Sequence, residues 1–396
     1  MNLGQVSLKE THYQAAPVAS ARWQRVQVFH SGDAFFTALE DSIESARSTI
    51  EIESYIFAWD RFGERVVKLL REARARGVVV RIIIDGIGSA SWAHRLREEA
   101  RDAGLQIKVF HELPWTRWLR GESWLAKQMT LWRALQRMNN RNHRKVCIVD
   151  RFKAFVGSMN IIEYHLERYV GSRAWRDTGV VVEGPEVAVL GDSFDELWSK
   201  RPKSLRSALR QHKAASSGTL VKLNVRRKQR QENYVDLLVR IVGAKERIWI
   251  ESAYFVPDGS LVRALAVAAE AGVDVKILVP AVSDVFFIPW VTSAFHAALL
   301  RAGVRVFEYT RSMMHAKTIL VDDWGLVGSS NLNHRSLFHD LEADIVLVDD
   351  VACRSLYDQF IIDCAAAREV TLSTWHDRPW LERFLGRTLL TMRKMM

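Results

Sequence analysis

Two short runs in this 396-residue chain place histidine, lysine, aspartate, serine and asparagine at matching spacings. The first reads Asn142-His143-Arg144-Lys145-Val146-Cys147-Ile148-Val149-Asp150, followed by Gly157-Ser158-Met159-Asn160. The second reads His315-Ala316-Lys317-Thr318-Ile319-Leu320-Val321-Asp322, followed by Gly328-Ser329-Ser330-Asn331. Both fit His-x-Lys-x4-Asp and then Gly-Ser-x-Asn. These residue types suit attack on a phosphodiester. Its anionic oxygens need cations and donors, which two lysines and two asparagines supply. One neutral imidazole can attack phosphorus while a second, protonated, donates to the leaving oxygen. Ser158, Asn160, Ser329 and Asn331 are candidate phosphate donors. A single copy would read more simply as a buried histidine beside a solvated lysine; two complete copies favour chemistry. Lysine is a poor metal ligand and no ligand-spaced cluster accompanies either run, so no metal or other cofactor is expected.

The aliphatic residues after each lysine predict a strand, on which positions two apart share a face. His143 and Lys145 therefore point the same way, as do His315 and Lys317. A second strand is expected to end at each Gly-Ser-x-Asn, where glycine permits close backbone approach. Upstream, Ile50-Glu51-Ile52-Glu53-Ser54-Tyr55-Ile56-Phe57 recurs as Ile248-Trp249-Ile250-Glu251-Ser252-Ala253-Tyr254-Phe255. Each copy runs through a helical stretch into a Gly-Val-x-Val-basic strand, at Gly77 and at Gly272, and then a third strand ending at Phe110 or Phe307. Buried strands look alike, so this periodicity alone would not establish duplication; the paired motifs do. The expectation is an α/β fold of two similar halves, each a mostly parallel sheet flanked by helices. Residues 1–21 form an N-terminal extension, 22–214 and 215–368 the halves, and 369–396 a basic amphipathic tail. The Lys-, Arg- and Ser-rich residues 201–230 are expected to join the halves.

A formal charge of +10 favours an anionic partner, and 14 tryptophans tilt that partner towards a membrane surface. Three cysteines without metal-like spacing suit a reducing compartment. The first twenty residues lack an apolar signal region, and no run is long enough to span a bilayer. The expected location is cytoplasmic, bound peripherally to the cytoplasmic face of the membrane.

The paired motifs resemble those of the phospholipase D superfamily over nearly the whole chain, from about Arg22 to about Ala366. Tyr55-Ile56-Phe57, Arg81-Ile82-Ile83-Ile84-Asp85-Gly86, Trp175-Arg176-Asp177-Thr178 and Gly328-Ser329-Ser330-Asn331-Leu332-Asn333 are most similar to bacterial cardiolipin synthases of the short class, without N-terminal transmembrane helices. The resemblance implies halves packed about a pseudo-twofold axis, one shared cleft, and a phosphatidyl group carried on a phosphohistidine. It makes His143 the candidate nucleophile and His315 the general acid, an order that is open to reversal. It also implies an acid downstream of each motif to orient its histidine, matching Asp177 and Glu342. Asp150 and Asp322 complete the motifs and stay in the candidate set, although they look structural. The family's usual six residues between motif Asp and Gly are kept after Asp150 but are five after Asp322, which puts the placement of Ser329 and Asn331 in question.

Substrate class rests on residues outside the motifs. Residues 115–133 and 375–396 mix tryptophan, leucine and cations as interfacial helices do. The competing reading is that each covers the protein's own core. The expected partners are an anionic phospholipid membrane and phosphatidylglycerol, with no nucleic acid. The expected activity is a cardiolipin synthase passing a phosphatidyl group to a second glycerophospholipid. The alternatives are a phospholipase D releasing phosphatidic acid, a metal-independent nuclease, because basic aromatic segments also stack single strands, and a non-catalytic membrane scaffold.

Overall fold

The computed structural model describes residues 22–112, 140–199 and 220–390. The tryptophan-rich residues 115–133 lie outside them. Aliphatic runs form β1 (Arg25–Phe29), β2 (Thr49–Ser54), β3 (Val79–Asp85), β4 (Gln106–Phe110), β5 (Val146–Val149), β6 (Lys153–Gly157) and β7 (Gly179–Glu183). They then form β8 (Val221–Leu223), β9 (Arg247–Ser252), β10 (Asp274–Pro280), β11 (Arg305–Tyr309), β12 (Lys317–Val321), β13 (Trp324–Gly328), β14 (Ala343–Leu347) and β15 (Ala367–Val370). One sheet has the order β1-β7-β6-β5-β2-β3-β4, the other β15-β11-β10-β9-β12-β13-β14-β8. Apart from the extra edge strand β15, the second order repeats the first in reverse listing. The duplication therefore extends to β1 and β8, whose sequences do not advertise it.

The α/β class and the two similar halves are as expected, but the sheets are mixed. Only β2-β3-β4 and β9-β10-β11 run parallel. These strands are joined by helical crossovers such as Arg61–Ala75 and Gly259–Glu270. The motif strands are joined by tight turns, and a tight turn can only return antiparallel. The joining segment is also shorter than expected, because β8 and the helix Arg227–Gly243 already belong to the second half.

Every central strand is buried on both faces, with alternate residues in different layers. In β7, Val181 packs with the helices of its own half while Val180 and Val182 enter a core shared by both sheets. In β14, Val346 faces its own helices while Ile345 and Leu347 enter that shared core. The two sheets thus face each other across one apolar layer, which also holds Leu190, Phe194, Leu356 and Phe360 from two flanking helices.

Asp150 and Asp322 sit at the turns at the far end of the motif strands, with φ of 52° and 50°. The Asp150 carboxylate accepts from the backbone N–H groups of Arg47, Ser48 (2.7 Å) and Thr49 (3.0 Å). Asp322 does the same for Lys245 (2.9 Å), Glu246 (2.8 Å) and Arg247 (3.0 Å). Each ties the turn to the first residues of the central strand beside it. Their inclusion among catalytic candidates is therefore corrected: they cap strand starts, at the end opposite the histidines. The shorter turn after Asp322 is absorbed here, since Val321 pairs with Trp324 whereas Val149 pairs with Lys153.

Donation by these N–H groups holds both carboxyls below the ordinary aspartate range even though partial burial pushes the other way. With folded values lower than unfolded ones, their contribution is complete above the unfolded aspartate range and is lost as pH falls through the folded values. Asp150→Ala should lower stability by about 1–2 kcal/mol in urea unfolding at neutral pH, with the deficit vanishing in acid, and leave turnover per folded molecule unchanged.

Candidate active site

The histidines lie just before the strands that were expected to carry them. Arg141 and Leu341 bond across the halves, Leu341 N–H to Arg141 O at 2.8 Å and His143 N–H to Leu341 O at 3.0 Å. The pseudo-symmetric pair is Arg176 N–H to Met313 O at 2.8 Å and His315 N–H to Arg176 O at 2.7 Å. Each backbone bridge lays the segment before one acid against the histidine of the other half. Glu342 consequently accepts from His143 Nδ1, at 3.0 and 3.1 Å, and Asp177 accepts from His315 Nδ1 at 3.0 Å. The expectation that each acid orients its own histidine is corrected: the pairing is crossed, because the shared core turns the ends of β7 and β14 towards the opposite motif. A proton on Nδ1 leaves Nε2 of both rings with a free lone pair.

Lys145 and Lys317 are both buried, and each donates to the carbonyl of its own motif histidine at 2.7 Å. Two N–H donors per lysine remain for a ligand. Burial brings Lys145 down to about 7 and Lys317 to about 8, each also feeling the other motif's charges. Burial and the adjacent ammonium lower both histidines below the ordinary imidazole range. The unliganded centre thus favours neutral imidazoles, and an arriving anionic phosphodiester would draw protons back onto it.

The serines of Gly-Ser-x-Asn do not stand free for phosphate. Ser158 donates to Asp177 Oδ1 at 2.6 Å, and Ser329 donates to Glu342 Oε2. Glycine is needed one position earlier because a Cβ at Gly157 would fall 2.7 Å from Thr178 O, and one at Gly328 would strike the Ala343 carbonyl. The close approach is what brings each serine to an acid, so Ser158 and Ser329 are reassigned from phosphate donors to carboxylate donors. Asn160 Oδ1 accepts from Ile56 N–H at 3.1 Å, which leaves its amide NH2 as donor. Asn331 occupies the matching place and is equally buried.

Several contributing residues had no place in the motif reading. Arg144, between His143 and Lys145, turns away to Glu53 (3.3 Å) and Ser193 (3.0 Å). Arg176, also from the first half, plays the equivalent part beside the second motif, reaching across to Glu251 (3.3 Å) and Asp363 (2.7 Å). Glu53 and Glu251 therefore anchor the motif segments and do not line the cleft as acids. Tyr55 stands edge-on to His143, with centroids 5.0 Å apart, and Trp175 and Tyr254 flank His315 at 5.2 and 6.1 Å. His165 and Ser336 complete the shells of Asp177 and Glu342. Both lie five residues after a motif asparagine, an equal offset that the sequence displays.

Crossed pairing has a direct test. Asp177→Asn should shift the ring nitrogen NMR signals of His315 and spare those of His143, while Glu342→Gln should do the opposite. A shift at His143 in Asp177→Asn, or at His315 in Glu342→Gln, with the other motif histidine unchanged, would refute the crossed arrangement.

The family model described as "Cardiolipin synthase, PLD-like domain" matches residues 39–198 and 237–363. The chain is 34% identical over 349 residues to cardiolipin synthase A of Pseudomonas fluorescens (strain SBW25), covering 87% of this chain and 70% of that protein. It is 34% identical over 350 residues to cardiolipin synthase A of Pseudomonas aeruginosa (strain LESB58), covering 88% and 68%. Among solved structures, phosphatidylserine synthase of Haemophilus influenzae Rd KW20 superposes with a TM-score of 0.69 at 15% identity, covering 94% of this chain and 95% of that one. Polyphosphate kinase of Porphyromonas gingivalis gives 0.58 at 14% identity, covering 86% and 50%. These two share the fold. With two matched segments spanning both halves, and both histidine motifs complete, this chain belongs to the cardiolipin synthase family of phospholipase D-like enzymes.

Proposed function

We propose that this protein is a cardiolipin synthase that moves a phosphatidyl group from phosphatidylglycerol to a second glycerophospholipid through a phosphohistidine. The observation that carries the reading is the pair of imidazoles, each fixed by a buried acid of the opposite half and backed by a buried lysine. His143 Nε2 attacks phosphorus as the bond to the departing glycerol oxygen breaks, and protonated His315 gives its proton to that oxygen. The acceptor's hydroxyl then loses its proton to His315 and attacks phosphorus as the bond to His143 breaks, which restores both rings. Lys145, Lys317, Asn160 and Asn331 are assigned to the non-bridging oxygens, and Asp177 and Glu342 to the imidazoles.

The order of the histidines is supported by the unequal acids. Burial pushes both carboxyls up. The imidazoles bonded to Asp177 outweigh that and hold it well below the usual carboxylate range, whereas Glu342 stays up at about 7. A firmly ionised acid favours imidazolium at His315. A carboxyl near neutrality favours a neutral, nucleophilic His143.

Peripheral attachment to the cytoplasmic membrane face is part of the proposal, and the helix Trp380–Leu389 supports it. Its Trp380, Leu381 and Phe384 are exposed, with Arg387 beside them, while Leu389 packs against the protein with Tyr254 and Phe287. Trp380 keeps 71% and Phe384 57% of its surface in water, unusual for tryptophan and phenylalanine unless an apolar phase receives them. Trp375, expected in the same amphipathic face, is instead buried and donates to Ser293 O at 2.8 Å. No helix among the described residues is long and apolar enough to cross a membrane.

Incubated with phosphatidylglycerol vesicles, the protein should yield cardiolipin and glycerol by mass spectrometry. Phosphatidic acid in their place would make it a hydrolase, and cleaved single-stranded DNA with untouched lipid would overturn the lipid reading. His143→Ala should cost roughly a thousandfold or more in turnover while vesicle binding persists. Trp380→Ser with Phe384→Ser should weaken co-sedimentation with anionic vesicles about tenfold or more without lowering the melting temperature. Unchanged binding would remove this helix from the membrane contact.

A further inference from the structure

The shells around the two acids match, apart from one side chain. In the second half, Asn331 N–H donates to Ser336 Oγ at 3.1 Å, and the Ser336 hydroxyl donates on to Glu342 Oε1. In the first half, Asn160 N–H donates to His165 Nε2 at 3.1 Å, and His165 Nδ1 lies 2.6 Å from Asp177 Oδ2. The His165 ring is fully buried, between Trp175 at 5.3 Å and His315 at 6.0 Å. With its Nε2 lone pair occupied by a backbone N–H, a neutral His165 carries its proton on Nδ1 and is a donor to Asp177.

A serine and a histidine differ here in what they forbid. A hydroxyl rotates and can accept as well as donate, so Ser329 and Ser336 tolerate Glu342 with or without a proton. A ring N–H has one direction. Asp177 Oδ2 facing it must be an acceptor, and Oδ1 already receives His315 and Ser158.

We propose that His165 is a positioning residue that helps make the two motif histidines unequal, holding Asp177 as an anion so that His315 carries the proton delivered to the leaving alkoxide. The inference rests on the phosphodiester-transfer reading of the site. The step itself is balanced within the site: the His143–phosphorus bond forms as the phosphorus–oxygen bond breaks, the proton passes from His315 Nε2 to that oxygen, and Asp177 keeps its charge throughout. His165 touches neither proton nor phosphorus.

The test compares leaving groups. An alkoxide leaving phosphatidylglycerol needs the proton, whereas nitrophenolate leaving bis(4-nitrophenyl) phosphate does not. His165→Ala should lower turnover of phosphatidylglycerol vesicles about tenfold or more while the first-turnover burst of nitrophenolate changes less than about threefold. His165→Asn, whose amide N–H can take the place of Nδ1–H, should recover most of the lipid turnover. Equal losses on both substrates in a variant that melts normally, or no recovery with asparagine, would overturn the proposal. Should the alanine variant fail to fold, His165→Asn decides alone: a ratio of lipid to nitrophenyl turnover like the parent's supports the donor role, and a collapsed ratio refutes it. A parent protein that turns over neither substrate removes the phosphodiester-transfer reading itself.

Discussion

The bond between a buried carboxylate and an imidazole from the opposite half is the constraint around which this molecule is arranged. Carboxylates and ammonium groups taken out of water cost several kcal/mol each unless their partners are supplied. Asp177 and Glu342 reach the motif imidazoles only across the interface, each keeping further donors in its own half, His165 and Ser158 for Asp177 and Ser329 and Ser336 for Glu342, so the site is complete only where the halves meet. The apolar layer between the sheets and the bridges at Leu341 and Arg176 supply the fit that this electrostatic requirement demands.

Around that centre the buried charge is divided into separate circuits. Arg144 with Glu53, and Arg176 with Glu251 and Asp363, neutralise one another behind the motif segments. This leaves Lys145 and Lys317 as cations facing the reacting centre, held only by backbone carbonyls and the fields of Glu342 and Asp177. A site already neutralised by direct ion pairs would have little positive charge left for an anionic ligand. Here the compensation lies one layer back, and the donors remain available.

The parts legible in sequence were those with a repeated spacing. The motif strands, the strand ending at each Gly-Ser-x-Asn, the crossover strands and the pairing of Asp177 and Glu342 with histidines all followed from local pattern or resemblance. Crossed pairing was not legible, because a linear sequence ranks neighbours by distance along the chain, whereas the interface joins His143 to a residue 199 positions away. The mixed sheets were missed because strands buried on both faces show the same aliphatic runs whether parallel or antiparallel. The serines were misassigned for a related reason: a hydroxyl beside a phosphate site and one beside a carboxylate have the same sequence signature. His165 left only an offset from Asn160, without a residue type in common with Ser336 to flag it.

The backbone bridges at Leu341 and Arg176 also bear on what duplication makes possible. Two identical copies related by a twofold axis could build the same crossed site, but symmetry would place every side chain there twice and alike. Such a pair could distinguish nucleophile from acid only by chance, at the moment a substrate broke the tie. Within one continuous chain each crossing is unique, so a histidine can stand at 165 while a serine stands at 336. Covalent fusion therefore allows the site a front and a back that no assembly of equal halves can possess.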